Sequence, residues 1–228
     1  MYNNKKISAI IVAAGSSRRM KSDVPKILME ILGEKVIHRT ARAFDKNDYI
    51  DEIIMVTREQ DIEEIKTILA DITKLKTVVA GGSERQESVL NGVHAASGDI
   101  IAIHDGARPL VSDEEINRVI EDAEKYGAAT LSAVPKDTVK VADGDGFVNE
   151  TPNRSTLRNI YTPQVFGREE YLSAAESEEA KKAMYTDDCQ LFEKLGKKVF
   201  LSEGKYTNIK ITTPEDLAIA EAIAKGMD

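Results

Sequence analysis

Short apolar runs recur along the first two thirds of the chain and alternate with stretches of helical periodicity. The run Ile7–Val12 (ISAIIV) is almost entirely apolar and rich in β-branched residues, and comparable runs lie at residues 52–57, 77–80, 99–104 and 129–134. Such runs are typical of parallel strands that are buried on both faces. We therefore predict five buried strands in this part of the chain.

Helical signals fill the intervals between these strands. Apolar residues three and four positions apart predict helices at residues 35–46 and 60–72. Ser83 with Gln86 and Ser112 with Glu115 match the capping-box pattern, and they predict helices that run to about residue 97 and to Gly127. This alternation predicts a single α/β domain over residues 1–228, with a doubly wound, mostly parallel sheet covered on both faces.

The alternation breaks between residues 135 and 158. Two short strand-like segments flank Ala142-Asp-Gly-Asp, which is a turn signal, and together they predict a β-hairpin. An isolated hairpin is marginally stable, so we expect this arm, at about residues 136–156, to pack on something else, such as a second subunit. Beyond it we expect helices at 168–183 and 186–195, strands at 198–201 and 208–212, and a last helix capped by Thr213.

Composition narrows the possible partners. Of 228 residues, 42% are hydrophobic and 31% charged, which is typical of a folded protein, and the net charge of −8 disfavours bulk binding to nucleic acid or an anionic membrane. One cysteine and three widely spaced histidines supply neither a disulfide nor a usual zinc site. With no apolar run long enough for a membrane span and a polar start, we expect a cytoplasmic protein.

The segment after the first strand is the strongest candidate for phosphate binding. Small residues at Ala13, Ala14 and Gly15 allow backbone amides to approach an anion, and Arg18 and Arg19 follow, with Lys26 further along. The alternative interpretation is a solvated basic loop. Neither the P-loop pattern nor G-x-G-x-x-G is present.

Two other strand ends carry candidate ligands. Asp105, after the fourth predicted strand, is placed to hold Mg²⁺ beside phosphates, or else simply to cap a turn, and His104 is expected to be structural. Gly81 and Gly82, before a helix, suit close contact with a ligand or form a plain turn. The Tyr206/Lys210 spacing matches Y-x-x-x-K, but the predicted strand there excludes the helical arrangement that short-chain dehydrogenases need.

Five segments occur in an order that resembles one enzyme family. They are AAGSSRRM with Pro25-Lys26, GGSERQESV, HDGARP, NRSTLRNIYTPQVF and NIKITTPEDL. Together they resemble the 2-C-methyl-D-erythritol 4-phosphate cytidylyltransferase family over nearly the whole chain. The resemblance implies a nucleotide-diphospho-sugar transferase-like fold, cytidylyl transfer from CTP to a sugar-alcohol phosphate, Mg²⁺ or another divalent cation, and a homodimer whose hairpin arms embrace each other.

The resemblance also implies residue roles. Catalytic roles fall to Arg19, Lys26, Arg154 and Lys210. The nucleotide would be held by Ala13, Ala14, Gly15, Arg18, Gly81, Gly82, Ser88 and Asp105, with Asp105 also assisting the metal ion. Acceptor binding falls to Arg108, Thr138 and Thr162, and because Thr138 and Arg154 lie on or beside the arm, they are expected to act in the partner's site.

The chain departs from the family pattern at two positions, and two other functions are compatible with its sequence. Ser17 replaces a glycine that the family usually has in its loop, and Ile27 replaces a glutamine after Lys26. The ribitol-5-phosphate cytidylyltransferase family resembles this chain in fold and CTP loop, but tends toward AGGxGxR and HDSVRP. A non-catalytic protein that binds a cytidine nucleotide would need only the base and ribose contacts.

Overall fold

A central sheet organises the molecule, which is described by a computed structural model for residues 1–15, 20, 24–181 and 185–227. The strands are β1 (Ile7–Val12), β2 (Glu30–Ile31), β3 (Glu34–Lys35), β4 (Glu52–Thr57), β5 (Leu75–Ala80), β6 (Ile100–Asp105), β7 (Ala128–Ala133), β8 (Val141–Ala142), β9 (Val148–Glu150), β10 (Asn159–Gly167) and β11 (Phe200–Glu203). The helices are α1 (Val36–Lys46), α2 (Ile62–Ile68), α3 (Arg85–Ala95), α4 (Asp113–Tyr126), α5 (Arg168–Ala175), α6 (Glu178–Lys181), α7 (Asp188–Lys194) and α8 (Pro214–Ala224).

Seven strands form the sheet in the order β11-β7-β10-β6-β1-β4-β5. Every neighbouring pair is parallel except the pairs that β10 makes with β6 and β7. The mostly parallel, doubly wound α/β fold expected from the sequence is therefore confirmed. Short pairs β2–β3 and β8–β9 lie outside this sheet.

Both faces of the sheet are covered, which explains why its strands lack simple apolar–polar alternation. Ile7, Ala9 and Ile11 pack with residues of α1 and α4 on one face, while Ile10 packs with residues of α3 and α7 on the other. Each isoleucine that is fully buried in this way contributes roughly 1.5–3 kcal/mol. No described helix is long and apolar enough to cross a membrane.

Several helix boundaries depend on their capping residues. Ser112 and Glu115 form the predicted capping box, and Gly127 ends α4 with a φ of 93° that a side chain would strain. The box predicted at Ser83 is wrong. There α3 begins at Arg85, and the backbone N–H and hydroxyl of Ser83 both donate to Glu87 Oε2 at 2.8 Å.

Other differences concern the last third of the chain. The sequence pattern predicts neither strand β10 nor the β2–β3 pair. The helix predicted over 168–183 is interrupted between α5 and α6, and residues 182–184 lie outside the described part. Residues 208–212 form no strand, but Ile211 N–H donates to Ala107 O at 2.9 Å, which joins this segment to the turn after β6. Tyr206 and Lys210 accordingly lie outside any helix.

Candidate active site

A cavity of about 520 Å³ opens at the carboxyl edge of the sheet. Parallel strands all end at this edge, and the loops after β1, β5 and β6 therefore converge there. The lining includes Ala13, Ala14 and Gly15 after β1, Gly82 and Ser88 around the start of α3, Asp105 at the end of β6, and also Lys26, Arg85 and Lys210. The structure thus brings together most of the nucleotide-site residues predicted from sequence.

The two glycines after β5 are required by close packing. A side chain at Gly81 would place its Cβ 2.5 Å from Ala14 Cβ and 2.8 Å from Ser88 Oγ. The hydroxyl of Ser88 accepts a hydrogen bond from Gly82 N–H at 3.1 Å and donates one to Glu84 O at 3.0 Å. These contacts join the loop after β5 to the first turns of α3 and to the loop after β1.

Asp105 is the acidic centre of the site and is only 8% exposed. Its Oδ2 lies 2.9 Å from Lys210 Nζ and 3.3 Å from Arg108 Nε. Burial alone would raise the pKa of this carboxyl, but Lys210, Arg85 and Arg108 outweigh burial and hold the pKa well below its usual range. The side chain is therefore a carboxylate, and the surrounding cations compensate its charge.

A second cavity of about 360 Å³ adjoins the first. Arg85, Asp105 and Lys210 line both cavities, whereas Arg108 and Thr162 line only the second. The Asp105–Lys210 ion pair therefore lies at the boundary of two compartments. Such an arrangement can hold two ligands side by side, each in contact with the same charged residues.

Lys26 lies on the wall of the first cavity, in the helical turn Lys26–Leu28. Its Nζ donates to Ile211 O at 2.9 Å, so the ammonium group is held beside the segment that carries Lys210. Ile27, one of the departures from the family pattern, is 5% exposed and packs in the core. Arg18 and Arg19, together with Ser17, lie outside the described residues.

Arg154 and Thr138 are not part of either cavity in this chain. Arg154 lies in the helical turn Arg154–Thr156, and its guanidinium donates to Lys136 O at 2.8 Å. Both residues are exposed and lie beside β8 and β9. The structure therefore separates them from the other predicted site residues, which line the two cavities wherever they are described, apart from Gly81, which packs behind the first.

Arg85 is a site residue that sequence reasoning missed. It is the first residue of α3, lines both cavities, and places a terminal guanidinium nitrogen 2.7 Å from Asp188 Oδ2. Burial disfavours its charge, but Asp188 and Asp105 outweigh burial and raise its pKa further above the ordinary value. Its place three residues after Gly82, at a helix N-terminus, was the available signal.

His104 is fully buried and lines neither cavity. Its Nε2 donates to Arg108 O at 3.1 Å, and its Nδ1 accepts from the hydroxyl of Thr162 at 3.0 Å. Burial lowers the pKa of this imidazole to about 4, so the ring is neutral near pH 7.

The described acidic residues of the site offer too few oxygens to hold a metal ion without a bound ligand. Among the described residues, no three histidine, cysteine or acidic side chains converge on one point. Asp105 offers one carboxylate, which fits Mg²⁺ because this ion is usually held by one or two carboxylates, substrate phosphates and water. The remaining oxygens would have to come from the phosphates of a bound ligand and from water.

Comparison with known proteins points to one family. The model of the 2-C-methyl-D-erythritol 4-phosphate cytidylyltransferase family (IspD) matches residues 7–226. A protein of that name from Clostridium botulinum (strain 657 / Type Ba4) is 43% identical over 222 residues, covering 96% of this chain and 97% of the relative. One from Caldanaerobacter subterraneus subsp. tengcongensis is 45% identical over 220 residues, covering 94% and 97%.

Solved structures agree with these sequence relatives. The 4-diphosphocytidyl-2C-methyl-D-erythritol synthase from Anaerococcus prevotii DSM 20548 superposes with a TM-score of 0.87 at 37% identity, covering 97% of this chain and 99% of that one. The 2-C-methyl-D-erythritol 4-phosphate cytidylyltransferase from Thermus thermophilus superposes with a TM-score of 0.79 at 30% identity, covering 95% and 98%.

Proposed function

Because this chain belongs to the 2-C-methyl-D-erythritol 4-phosphate cytidylyltransferase family, we propose that it transfers the cytidylyl group of CTP to 2-C-methyl-D-erythritol 4-phosphate. The products are pyrophosphate and CDP-methylerythritol, and the reaction is a step of non-mevalonate isoprenoid biosynthesis. The observation that carries this proposal is the pair of adjoining cavities that share Arg85, Asp105 and Lys210. We assign the larger cavity to CTP and the smaller one to the acceptor.

The reaction makes one phosphorus–oxygen bond and breaks another. An oxygen of the acceptor phosphate attacks the α-phosphorus of CTP, and the bond from that phosphorus to the bridging oxygen of the leaving pyrophosphate breaks. The acceptor monoester has a second pKa of about 6 and is mostly a dianion near pH 7, so no general base is needed. The chain must instead overcome repulsion between anions and stabilise charge on the leaving group.

On the nucleotide side, cations and backbone amides meet this requirement. The backbone of Ala13, Ala14 and Gly15, with Gly81, Gly82 and Ser88, is proposed to hold cytosine and ribose. Lys26 is proposed to stabilise the pentacovalent transition state, and its place on the cavity wall supports this role. By family resemblance, Arg19 is proposed to share that role, and Arg18 to add to the positive electrostatic potential around the phosphates.

On the acceptor side, Lys210 and Arg108 are proposed to position the acceptor phosphate, with Thr162 beside them. All three line the smaller cavity. Lys210 also lines the larger one, so it can lie between the two reacting phosphates. When bound, Mg²⁺ supplies charge neutralisation of the triphosphate, and Asp105 is the residue that would hold it.

A second copy of the chain is proposed to complete the acceptor side. The arm exposes apolar side chains, with Phe147 at 72% and Val148 at 61%, which a partner would cover. Arg154 and Thr138 lie within this arm and away from the cavities of their own chain. In a homodimer, each arm can carry these two residues to the neighbouring site.

Pyrophosphate release decides between the candidate activities. Purified protein is mixed with CTP and Mg²⁺, and then with either 2-C-methyl-D-erythritol 4-phosphate or ribitol 5-phosphate in parallel. We expect a higher kcat/KM with the first acceptor. Equal rates, or a preference for ribitol 5-phosphate, would contradict the assignment, and CTP binding without any pyrophosphate release would indicate a regulatory protein.

A further inference from the structure

A closed set of buried hydrogen bonds lies beneath the smaller cavity. Asp105 N–H donates to Thr162 Oγ1 at 3.1 Å, the Thr162 hydroxyl pairs with His104 Nδ1 at 3.0 Å, and His104 Nε2 pairs with Arg108 O at 3.1 Å. The set continues from the Arg108 guanidinium to Asn208 O at 2.7 Å and from Asn208 Nδ2 to Thr162 O at 3.0 Å. It therefore joins the turn after β6, strand β10 and the segment before Lys210.

The partners determine where each hydrogen lies. A carbonyl oxygen can only accept, so the Nε2 of His104 must carry the hydrogen that points to Arg108 O. In the neutral ring Nδ1 is then an acceptor, and the hydroxyl hydrogen of Thr162 must point toward it. The same hydroxyl oxygen accepts from Asp105 N–H. The direction of every bond between Asp105 and Arg108 is thus specified.

His104 lies outside both proposed substrate sites. It is fully buried, it lines neither cavity, and its ring packs on Phe44 with centroids 4.8 Å apart. Yet it spans the turn whose first residue, Asp105, meets Lys210 and whose last, Arg108, lines the acceptor compartment. An effect of His104 on the reaction must therefore pass through the residues that it holds.

We propose that His104 is a positioning residue, which through Thr162 and Arg108 O sets the placement of Asp105 and Arg108 toward the acceptor. This inference rests on the proposed function, because it assigns the smaller cavity to the acceptor. The hydroxyl hydrogen of Thr162 is committed to His104, so Thr162 serves the acceptor through Asp105 and not as a hydroxyl donor to the phosphate.

Two substitutions separate positioning from bulk stability. His104→Leu removes both hydrogen bonds, whereas His104→Gln keeps an amide donor and a carbonyl acceptor on a side chain of similar length. We expect His104→Leu to lower kcat/KM for 2-C-methyl-D-erythritol 4-phosphate roughly tenfold to a hundredfold, the range seen when partners that orient a site are lost. Most of this loss should be a higher KM for the acceptor. Because Asp105 also lines the nucleotide cavity, the KM for CTP should rise as well, but by a clearly smaller factor, and His104→Gln should recover most of both changes.

Two further variants distinguish a loss of positioning from a general loss of stability. Ser202→Ala removes a different buried hydroxyl, whose partner is Asp122, and should lower the melting temperature without changing either KM. Thr162→Val should match His104→Leu, and the double variant should be no worse than either alone, because both break one chain of bonds. Equal changes in both KM values, or unchanged kinetics in His104→Leu, would overturn the proposal.

A spectroscopic measurement tests the geometry independently of turnover. Long-range proton–nitrogen NMR correlations of the wild-type protein report which ring nitrogen carries the hydrogen. We expect the Nε2–H form for His104, and the Nδ1–H form would refute the arrangement even if His104→Leu does not fold. Absence of pyrophosphate release by the wild type would contradict the proposed function, and the NMR result would still decide the assignment of His104.

Discussion

At the scale of single residues, the site is organised around one buried carboxylate among cations. Arg108 and Lys210 contact Asp105 Oδ2 directly, and Arg85, which lines the same two cavities, adds its charge. Removing one partner of such a group leaves a buried charge uncompensated, which is costly. The three cations therefore both stabilise Asp105 and hold positive charge next to the two cavities.

Lys26→Ala tests whether the lysine meets charge that grows during the reaction. If Lys26 contacted only ground-state phosphates, its loss would chiefly raise the KM for CTP. We expect kcat to fall roughly 10²–10³-fold with little change in that KM, as for the loss of one preorganised donor. Steady-state kinetics at saturating acceptor measure this directly.

An exposed lysine provides the matched control for Lys26→Ala. Lys66, whose side chain is 50% exposed, pairs with Glu63 on α2 and lies outside both cavities. Lys66→Ala should leave kcat and KM unchanged, and circular dichroism should show both variants folded. A comparable loss in both variants, or a rise in the KM for CTP alone, would count against the transition-state role.

At the scale of elements, hydrophobic patterning was sufficient for the parallel half of the sheet. Strand β1 was predicted with its observed boundaries, and β6 within one residue, because strands that are buried on both faces leave continuous apolar runs. Strand β10 could not be predicted in the same way. Pro163 interrupts its run, which argues against a central strand, and the register shifts there between Ile160 and Gln164.

The candidate site was predictable where its residues follow strands. Asp105 and the glycines after β5 stand at strand ends, where α/β ligand sites occur. Arg85 was missed because its importance depends on Asp188, which is about a hundred residues away in sequence and reaches it only in the fold. The hydrogen bond between the Thr162 hydroxyl and His104 Nδ1 also depends on β10, so no local pattern indicates it.

Glu52, at the start of β4, joins several segments at the amino-terminal ends of the parallel strands, opposite the candidate site. It is 4% exposed and binds Lys6 Nζ, Ser8 Oγ and Ser97 N. Burial alone would raise the pKa of this carboxyl, but hydrogen bonds from Lys6, Ser97 and Ser8 outweigh burial and lower the pKa to about 2. Against an unfolded pKa of ~4.3, this difference is worth about 3 kcal/mol of stability.

Glu52→Gln should therefore weaken the fold in a pH-dependent way. A lowered folded pKa contributes stability that is complete above the unfolded pKa and is lost as the pH falls toward the folded one. We expect the variant to lose about 2–3 kcal/mol in the free energy of unfolding at neutral pH, with a smaller deficit at about pH 3. Urea denaturation across this pH range measures both values.

Glu63→Gln is the comparison for Glu52→Gln, because the Glu63 side chain is 85% exposed. Exposed ion pairs contribute little, so this variant should match the wild type throughout the pH range. A deficit in Glu52→Gln that stays constant from neutral to acidic pH would show that packing, and not the carboxylate, provides the stabilisation.

At the scale of the whole molecule, the separation of Arg154 from the cavities of its own chain predicts complementation between subunits. Arg154→Ala and Lys26→Ala should each be nearly inactive alone. In a mixed dimer with arms acting across the interface, one site has both residues intact, so co-refolded variants should regain about one quarter of the wild-type rate. Light scattering should show a dimer in each preparation.

Mixing Lys26→Ala with Lys210→Ala provides the control for that experiment. Both residues line one cavity of the same chain, so every site of a mixed dimer still lacks one of them and no activity should return. A monomer with full activity, or failure of the first pair to complement while dimers form, would refute the assignment of Arg154 to the neighbouring site.

The place of β10 in the sheet also restricts the order in which the strands can pair while the chain is still on the ribosome. Strand β7 neighbours only β10 and β11, so when residues 128–133 emerge they have no strand to join until residues 159–167 follow. Strands β1, β4, β5 and β6 can pair earlier, leaving β6 as a temporary unprotected edge. Because Asp105 lies on that edge and Thr162 on the strand that covers it, the smaller cavity is complete only after β10 has joined the sheet.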